Sequence, residues 1–314
     1  RGVTPVQQYQ IYGQLYDEYF SFQFDKAKDA LDHQIALADQ IGEKTLKDDA
    51  MLDKALLLTN AGFYLEASQV FDALDTLSLD KKQMICWYNV RQKFLRDYQE
   101  YVRSSDFTVA DADKIKFYQD KVLSSTDPSS PMNRHMRILR MLEERDYETA
   151  YEENFKFIRT LDPSEHDYAV QTYWQGYICE NLEREQENIF WWVLSAISDI
   201  KGAVKDNASL CSIATKLTAP EDTERAFKYI RLSLDDAVYY NAKLRKVQIA
   251  STMPWIQSAY TEGKEMQNRE RNRFLIFTLA AAVLLAIVSF LSVSFYMKGR
   301  RSAKEIRKKT QQLA

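Results

Sequence analysis

Residues 61–77 read AGFYLEASQVFDALDTL, with Ala67, Phe71 and Leu74 at a spacing of A-x3-F-x2-apolar. Positions at i, i+4 and i+7 fall on one face of an α-helix. A small residue at the first lets a partner helix approach closely, and the aromatic fills the groove between neighbouring pairs. The same pattern returns in RDYETAYEENFKFIRTLDP (145–163), with Ala150, Asn154 and Phe157, although Asn154 takes the aromatic slot. It returns again in FDKAKDALDHQIALA (24–38), with Ala27 and Leu31, and in EDTERAFKYIRLSLDDA (221–237), with Ala226 and Ile230. A recurring helical unit of this kind buries its apolar face only by stacking on its neighbours, which makes a solenoid.

The spacing is that of the second helix of a tetratricopeptide (TPR) hairpin in divergent form, and the rest of the chain agrees. Glycine and proline number 8 and 6 in 314 residues, well below the average share of about 12%, and alternating strand-like runs are absent. The prolines act as punctuation in SSTDPSSPMNR, TLDPSEHDY and LTAPEDTER. Ser130 and Pro131 predict one helix start; Asp162 as cap with Pro163 in the first turn predicts another. The expected fold is all-α, a TPR-like α-solenoid of helical hairpins followed by a single transmembrane helix.

The transmembrane expectation comes from residues 274–297, twenty-four positions without a formal charge, rich in Leu, Ile, Val, Phe and Ala. Such a helix reaches about 36 Å, enough for a hydrocarbon core of about 30 Å with some tilt. Residues 298–314 hold seven basic residues against Glu305, a charge of +6; the whole chain is −3, so residues 1–297 carry −9. Before the span, Arg269, Arg271 and Arg273 are offset by Glu262, Glu265 and Glu270. Basic residues are retained on the cytoplasmic side, so the expected division is residues 1–270 as a periplasmic TPR-like sensor domain, 274–297 as the inner-membrane span and 298–314 as the start of a cytoplasmic segment. A large exported domain ahead of a single span implies a removed signal peptide before Arg1. An acidic body also argues against nucleic-acid binding by this chain itself.

Reactive constellations are not found. His33, His135 and His166 are isolated, the cysteines at 86, 179 and 211 are widely spaced, and no metal-binding, nucleophile or phosphate-loop motif occurs. No catalytic residue, metal site or cofactor is expected. The suggestive feature is QTYWQGYICENLEREQENIFWWVLSAISDI (171–200), which gathers Trp174, Tyr177, Trp191 and Trp192 on two adjacent helices. Aromatic faces suit a groove that holds a glycan or a peptide. Neighbouring residues on a helix point about 100° apart, so one of Trp191 and Trp192 is expected to face a ligand or partner while the other faces the core.

The segment APEDTERAFKYIRLSLDDAVYYNAKLRKVQIASTMPWI (219–256), followed by a charged helix and the span, resembles the SusR-like membrane-spanning transcriptional regulators of Bacteroidetes. That resemblance implies a periplasmic TPR-like sensor, one transmembrane helix, a cytoplasmic coiled coil and a promoter-binding helix-turn-helix. DNA binding would then belong to a C-terminal module outside these residues, and the output would be transcription of a nutrient-utilisation locus. A homodimer is expected from two stripes. Thr278, Ala282 and Ala286 form a small-xxx-small face in the span, and Ala303, Ile306, Thr310 and Leu313 fall at a and d of a heptad. The alternative is a membrane-tethered TPR scaffold that recruits proteins or peptides without signalling.

Overall fold

The computed structural model describes residues 2–102, 112–205 and 207–313, with side chains as far as residue 309. Among them the chain is helical without a strand, as scarce glycine and proline lead one to expect. Two compact units divide it, Arg1–Gln257 and Ser258–Ala314.

Among the described residues, six helix pairs build the first unit. They are α1 (Pro5–Tyr19) with α2 (Phe24–Ile41), α3 (Lys44–Ala61) with α4 (Tyr64–Ala73), and α5 (Lys81–Val102) with α6 (Ala112–Ser125). There follow α7 (Pro131–Glu143) with α8 (Tyr147–Ile158), α9 (His166–Asn181) with α10 (Glu185–Lys201), and α11 (Ser209–Lys216) with α12 (Thr223–Tyr240). The final helix, α13 (Lys243–Leu313), gives its turns up to Gln257 to this unit.

Local chemistry sets the ends of these helices. Thr4 and Gln7 form a reciprocal capping box at α1, with Pro5 in the first turn. Ser130 accepts from the Asn133 N–H at 3.3 Å and Pro131 opens α7, as the sequence predicts. Asp162 does not cap α9. Its carboxylate instead accepts the Ser164 N–H at 2.8 Å and hydroxyl at 2.7 Å, which turns the chain locally and delays the helix to His166.

The repeat positions are buried as their spacing requires. Ala27, Leu31, Ala67, Phe71, Leu74, Ala150, Asn154, Phe157, Ala226 and Ile230 all lie in the interior. Asn154 is not wasted in its aromatic slot: its amide donates to Gln171 O at 3.0 Å and to Gln175 Oε1 at 2.8 Å, joining α8 to α9 by hydrogen bonds. Rings link successive pairs, Phe24 stacking on Phe63 at 4.7 Å and Phe71 meeting Phe94 edge-on at 5.6 Å. Each buried ring of this size contributes roughly 1.5–3 kcal/mol.

Stacking on neighbours is not the whole account. The last elements return to the first: Tyr240 donates its hydroxyl to Phe20 O at 2.6 Å, and the Lys205 N–H donates to Ser21 O at 2.8 Å. Lys243 lies 4.1 Å from the Phe63 ring centre, and Ile249 and Ile256 of α13 share one core cluster with Phe24, Leu31 and Phe94.

The second unit consists of the remaining turns of α13. Large apolar side chains stand exposed from Phe274 to Met297, and this is one helix among the described residues long and apolar enough to cross a membrane. Thr278, Ala282 and Ala286 are exposed on it, as are Ala303 and Ile306. The side chains of Thr310 and Leu313 lie outside those described.

Candidate ligand-binding face

Helices α9 and α10 carry the aromatic cluster as the sequence placed it, but both tryptophans of the adjacent pair face inward. Trp191 is 8% exposed and packs with Ile158 and Cys179, its ring edge-on to Phe155 at 6.0 Å. Trp192 is 3% exposed and packs with Ala196, Leu210 and Ile213 on the other side. The expectation that one of them points outward is therefore corrected. An element in the middle of a stack has a layer on each side: α10 contacts α8 and α9 through Trp191, and α9 and α11 through Trp192. The exposed ring of this stretch is its neighbour Phe190.

Trp192 is held by three contacts. Its indole N–H donates to Tyr173 O at 3.2 Å, its ring stacks on Tyr173 at 6.2 Å, and it lies against Gly176, where a Cβ would come within 2.4 Å of Cδ1. Asn188 donates to Gly176 O at 2.8 Å from the same helix, α10.

Trp174 and Tyr177 are half-buried and lie one turn apart on α9, their rings perpendicular with centres 5.7 Å apart. The structure brings them together with charged and polar groups from two other first helices of hairpins. The Arg96 guanidinium of α5 lies 5.7 Å from the Trp174 ring centre, and its Nε is 3.8 Å from Asp97, which pairs with Lys93 at 2.7 Å. His135 of α7 meets Gln171 of α9 at 2.8 Å. Since Gln171 Nε2 can only donate, His135 Nδ1 accepts and its proton sits on Nε2. Burial, then the nearby Arg96 charge, push His135 down to about 4, against the hydrogen bond from Gln171, with Lys93 adding to the fall. At neutral pH the imidazole is uncharged.

Two polar atoms of this group are buried without a hydrogen-bond partner among the described residues: Arg96 Nη1 and Gln171 Oε1. Such atoms are costly to leave unmade. Beside a half-buried indole, one donor and one acceptor suit a ligand with a flat or CH-rich face and hydroxyl or amide groups at its edge. In the sequence His135 stands isolated, and nothing there singles out Arg96 or Gln171. Their places in the chain do not announce the grouping: Arg96, His135 and Trp174 fall at different turns of α5, α7 and α9, and only the packing of these helices brings them together.

Burial first pushes the Cys86 and Cys179 thiols up to about 12, far from a nucleophilic thiolate. Among the described residues no group of His, Cys, Asp and Glu is arranged to hold a metal ion.

Comparison with curated proteins finds no match. Over residues 1–251, by contrast, the chain matches the family described as the SusR N-terminal TPR domain, a regulator or scaffold type of domain. With its hairpins, its buried Ala and Phe positions and four-fifths of its length covered by that match, the chain belongs to the SusR N-terminal TPR domain family.

Proposed function

We propose that this chain is the sensing and membrane-crossing portion of a single-pass inner-membrane regulator. Residues up to the span lie in the periplasm, and the basic tail lies in the cytoplasm. The observation that carries the reading is the union, in one chain, of a SusR-type TPR domain with an exposed apolar helix and a +6 tail. The flank before the span, Lys264, Arg269, Arg271 and Arg273 against Glu262, Glu265 and Glu270, is only +1 and supports the same orientation. The ligand, a glycan or peptide or a protein partner, would meet Trp174 and Tyr177, with Arg96, His135 and Gln171 beside them. Two copies pair through Thr278, Ala282 and Ala286, and the change passes to a cytoplasmic output, for which family resemblance supports transcription regulation through a DNA-binding module outside this chain.

Topology tests the reading directly. An alkaline phosphatase reporter fused at Gly263 is expected to be active, and one fused after Lys309 inactive, with a fluorescent protein giving the reverse. The opposite pattern would place the TPR domain in the cytoplasm and end the sensor assignment.

A further inference from the structure

Between α7 and α8 lies a cavity of about 310 Å³ that shares no lining residue with the aromatic face. Arg134 and Arg137, one turn apart on α7, face Lys156 of α8 and Thr160 just beyond its C-cap, with Glu153 and the Phe157 ring between them. Three cations against one carboxylate leave a local charge of +2. Glu153 is committed to Lys156 at 3.0 Å and stands 3.9 Å from Arg137.

The two guanidiniums are poorly used by the protein itself. Arg134 Nη1 reaches Thr160 Oγ1 only at 3.4 Å, and Arg137 Nη2 reaches Pro128 O only at 3.4 Å. Arg137 Nε is buried without a hydrogen-bond partner among the described residues. Meanwhile the face of Phe157, 5.7 Å from the Arg134 guanidinium, helps to hold that fork in place. Arginine donors held in position, under-satisfied and in electrostatic excess are what binds planar or tetrahedral oxyanions through paired hydrogen bonds.

We propose that the α7–α8 cavity is a binding site for a doubly charged oxyanion of the phosphate type, as the free ion or as the phosphate group of a small ester. Arg134 and Arg137 grip the oxygens, Lys156 and Thr160 close the far side, and the remaining volume takes a body of about monosaccharide size. The site is independent of membrane orientation and of the aromatic face, so its failure would leave that reading untouched.

The test is isothermal titration of the full chain in detergent micelles at constant ionic strength, with inorganic phosphate, inorganic sulfate and a hexose 6-phosphate as probes. One saturable site is expected. The double variant R134Q/R137Q should weaken it roughly tenfold or more, whereas R159Q, an exposed arginine on α8's end outside the cavity, should leave it unchanged. E153Q removes the competing carboxylate and should tighten binding several-fold, an outcome that misfolding cannot mimic. Tighter binding of the hexose ester assigns the ester as ligand, and equal affinities assign the free ion. Heat that never saturates, or saturable binding indifferent to both R134Q/R137Q and E153Q, overturns the proposal.

Discussion

At the level of single residues, Gly176 shows how closely α9 and α10 are fitted. Only a hydrogen leaves room for the Trp192 indole, since a Cβ would stand 2.4 Å from Cδ1 and 2.6 Å from Nε1. Neither ring nor helix can yield easily, because the indole N–H is bound to Tyr173 O and the Gly176 carbonyl to Asn188. Gly176→Ala is therefore expected to destabilise the protein by about 1–3 kcal/mol through overpacking, against the small gain in helix propensity that alanine would otherwise bring. Thermal unfolding followed by tryptophan fluorescence checks it. An unchanged melting temperature would mean that Trp192 moves aside at no cost. The sequence marks Trp192 as an aromatic but says nothing of this contact, because Gly176 and Trp192 meet only once the two helices are folded against each other.

Among the elements, α7 and α13 were legible and α9 only partly so. Serine before proline names the start of α7 because both residues act on the backbone within one turn. Asp162 had two local partners to choose from, and the Ser164 hydroxyl and N–H won over the helix cap. On α13 the small residues Thr278, Ala282 and Ala286 form one exposed face of an apolar helix. Close approach of such faces is how helices associate in lipid, where burial of apolar surface no longer drives them together. Cysteines at Ala282 or Ala286 are thus expected to form disulfide-linked dimers in membranes under mild oxidation faster than cysteines at Leu284 or Ile287. The readout is non-reducing electrophoresis, and equal cross-linking at all four positions, or none, removes the dimer face.

For the molecule as a whole, stability should depend on pH through two groups that pull in opposite directions. His135 is pushed down from 6.5 to about 4, by burial first and then by Arg96. Its contribution is complete above pH 6.5 and is lost as pH falls through about 4. Asp53 is lifted from 3.8 to about 6, by burial first and then by Asp49 and Asp17, against Lys82. Its contribution is complete below pH 3.8 and is lost as pH rises through about 6. Between about pH 4 and 6 the two partly cancel, so the wild-type profile alone is uninformative. His135→Gln is expected to lose less stability than the wild type on acidification from pH 6.5 to 4, measured as the midpoint of urea unfolding. Parallel profiles for the two proteins would show that His135 does not titrate as described.

By itself the sequence determined the class of the fold and the positions that stack. Helical spacing is a local property, and Ala67, Phe71, Ala150 and Phe157 could be read as interior because three to four residues per turn put them on one face. It also determined the apolar helix, since length and absence of charge need no partner to be recognised. Only the tertiary structure decided what lies on the other side of each helix. It buried Trp191 and Trp192 together, because α10 has a layer on both sides. It drew Arg96, His135 and Trp174 from three hairpins to one face. It also joined the last helices to the first, where Gly62, at φ +79°, lets the backbone of Leu244 approach so closely that a Cβ would stand 2.7 Å from its nitrogen. These contacts link residues far apart in sequence, and periodicity, which compares a residue only with its neighbours along the chain, carries no information about them.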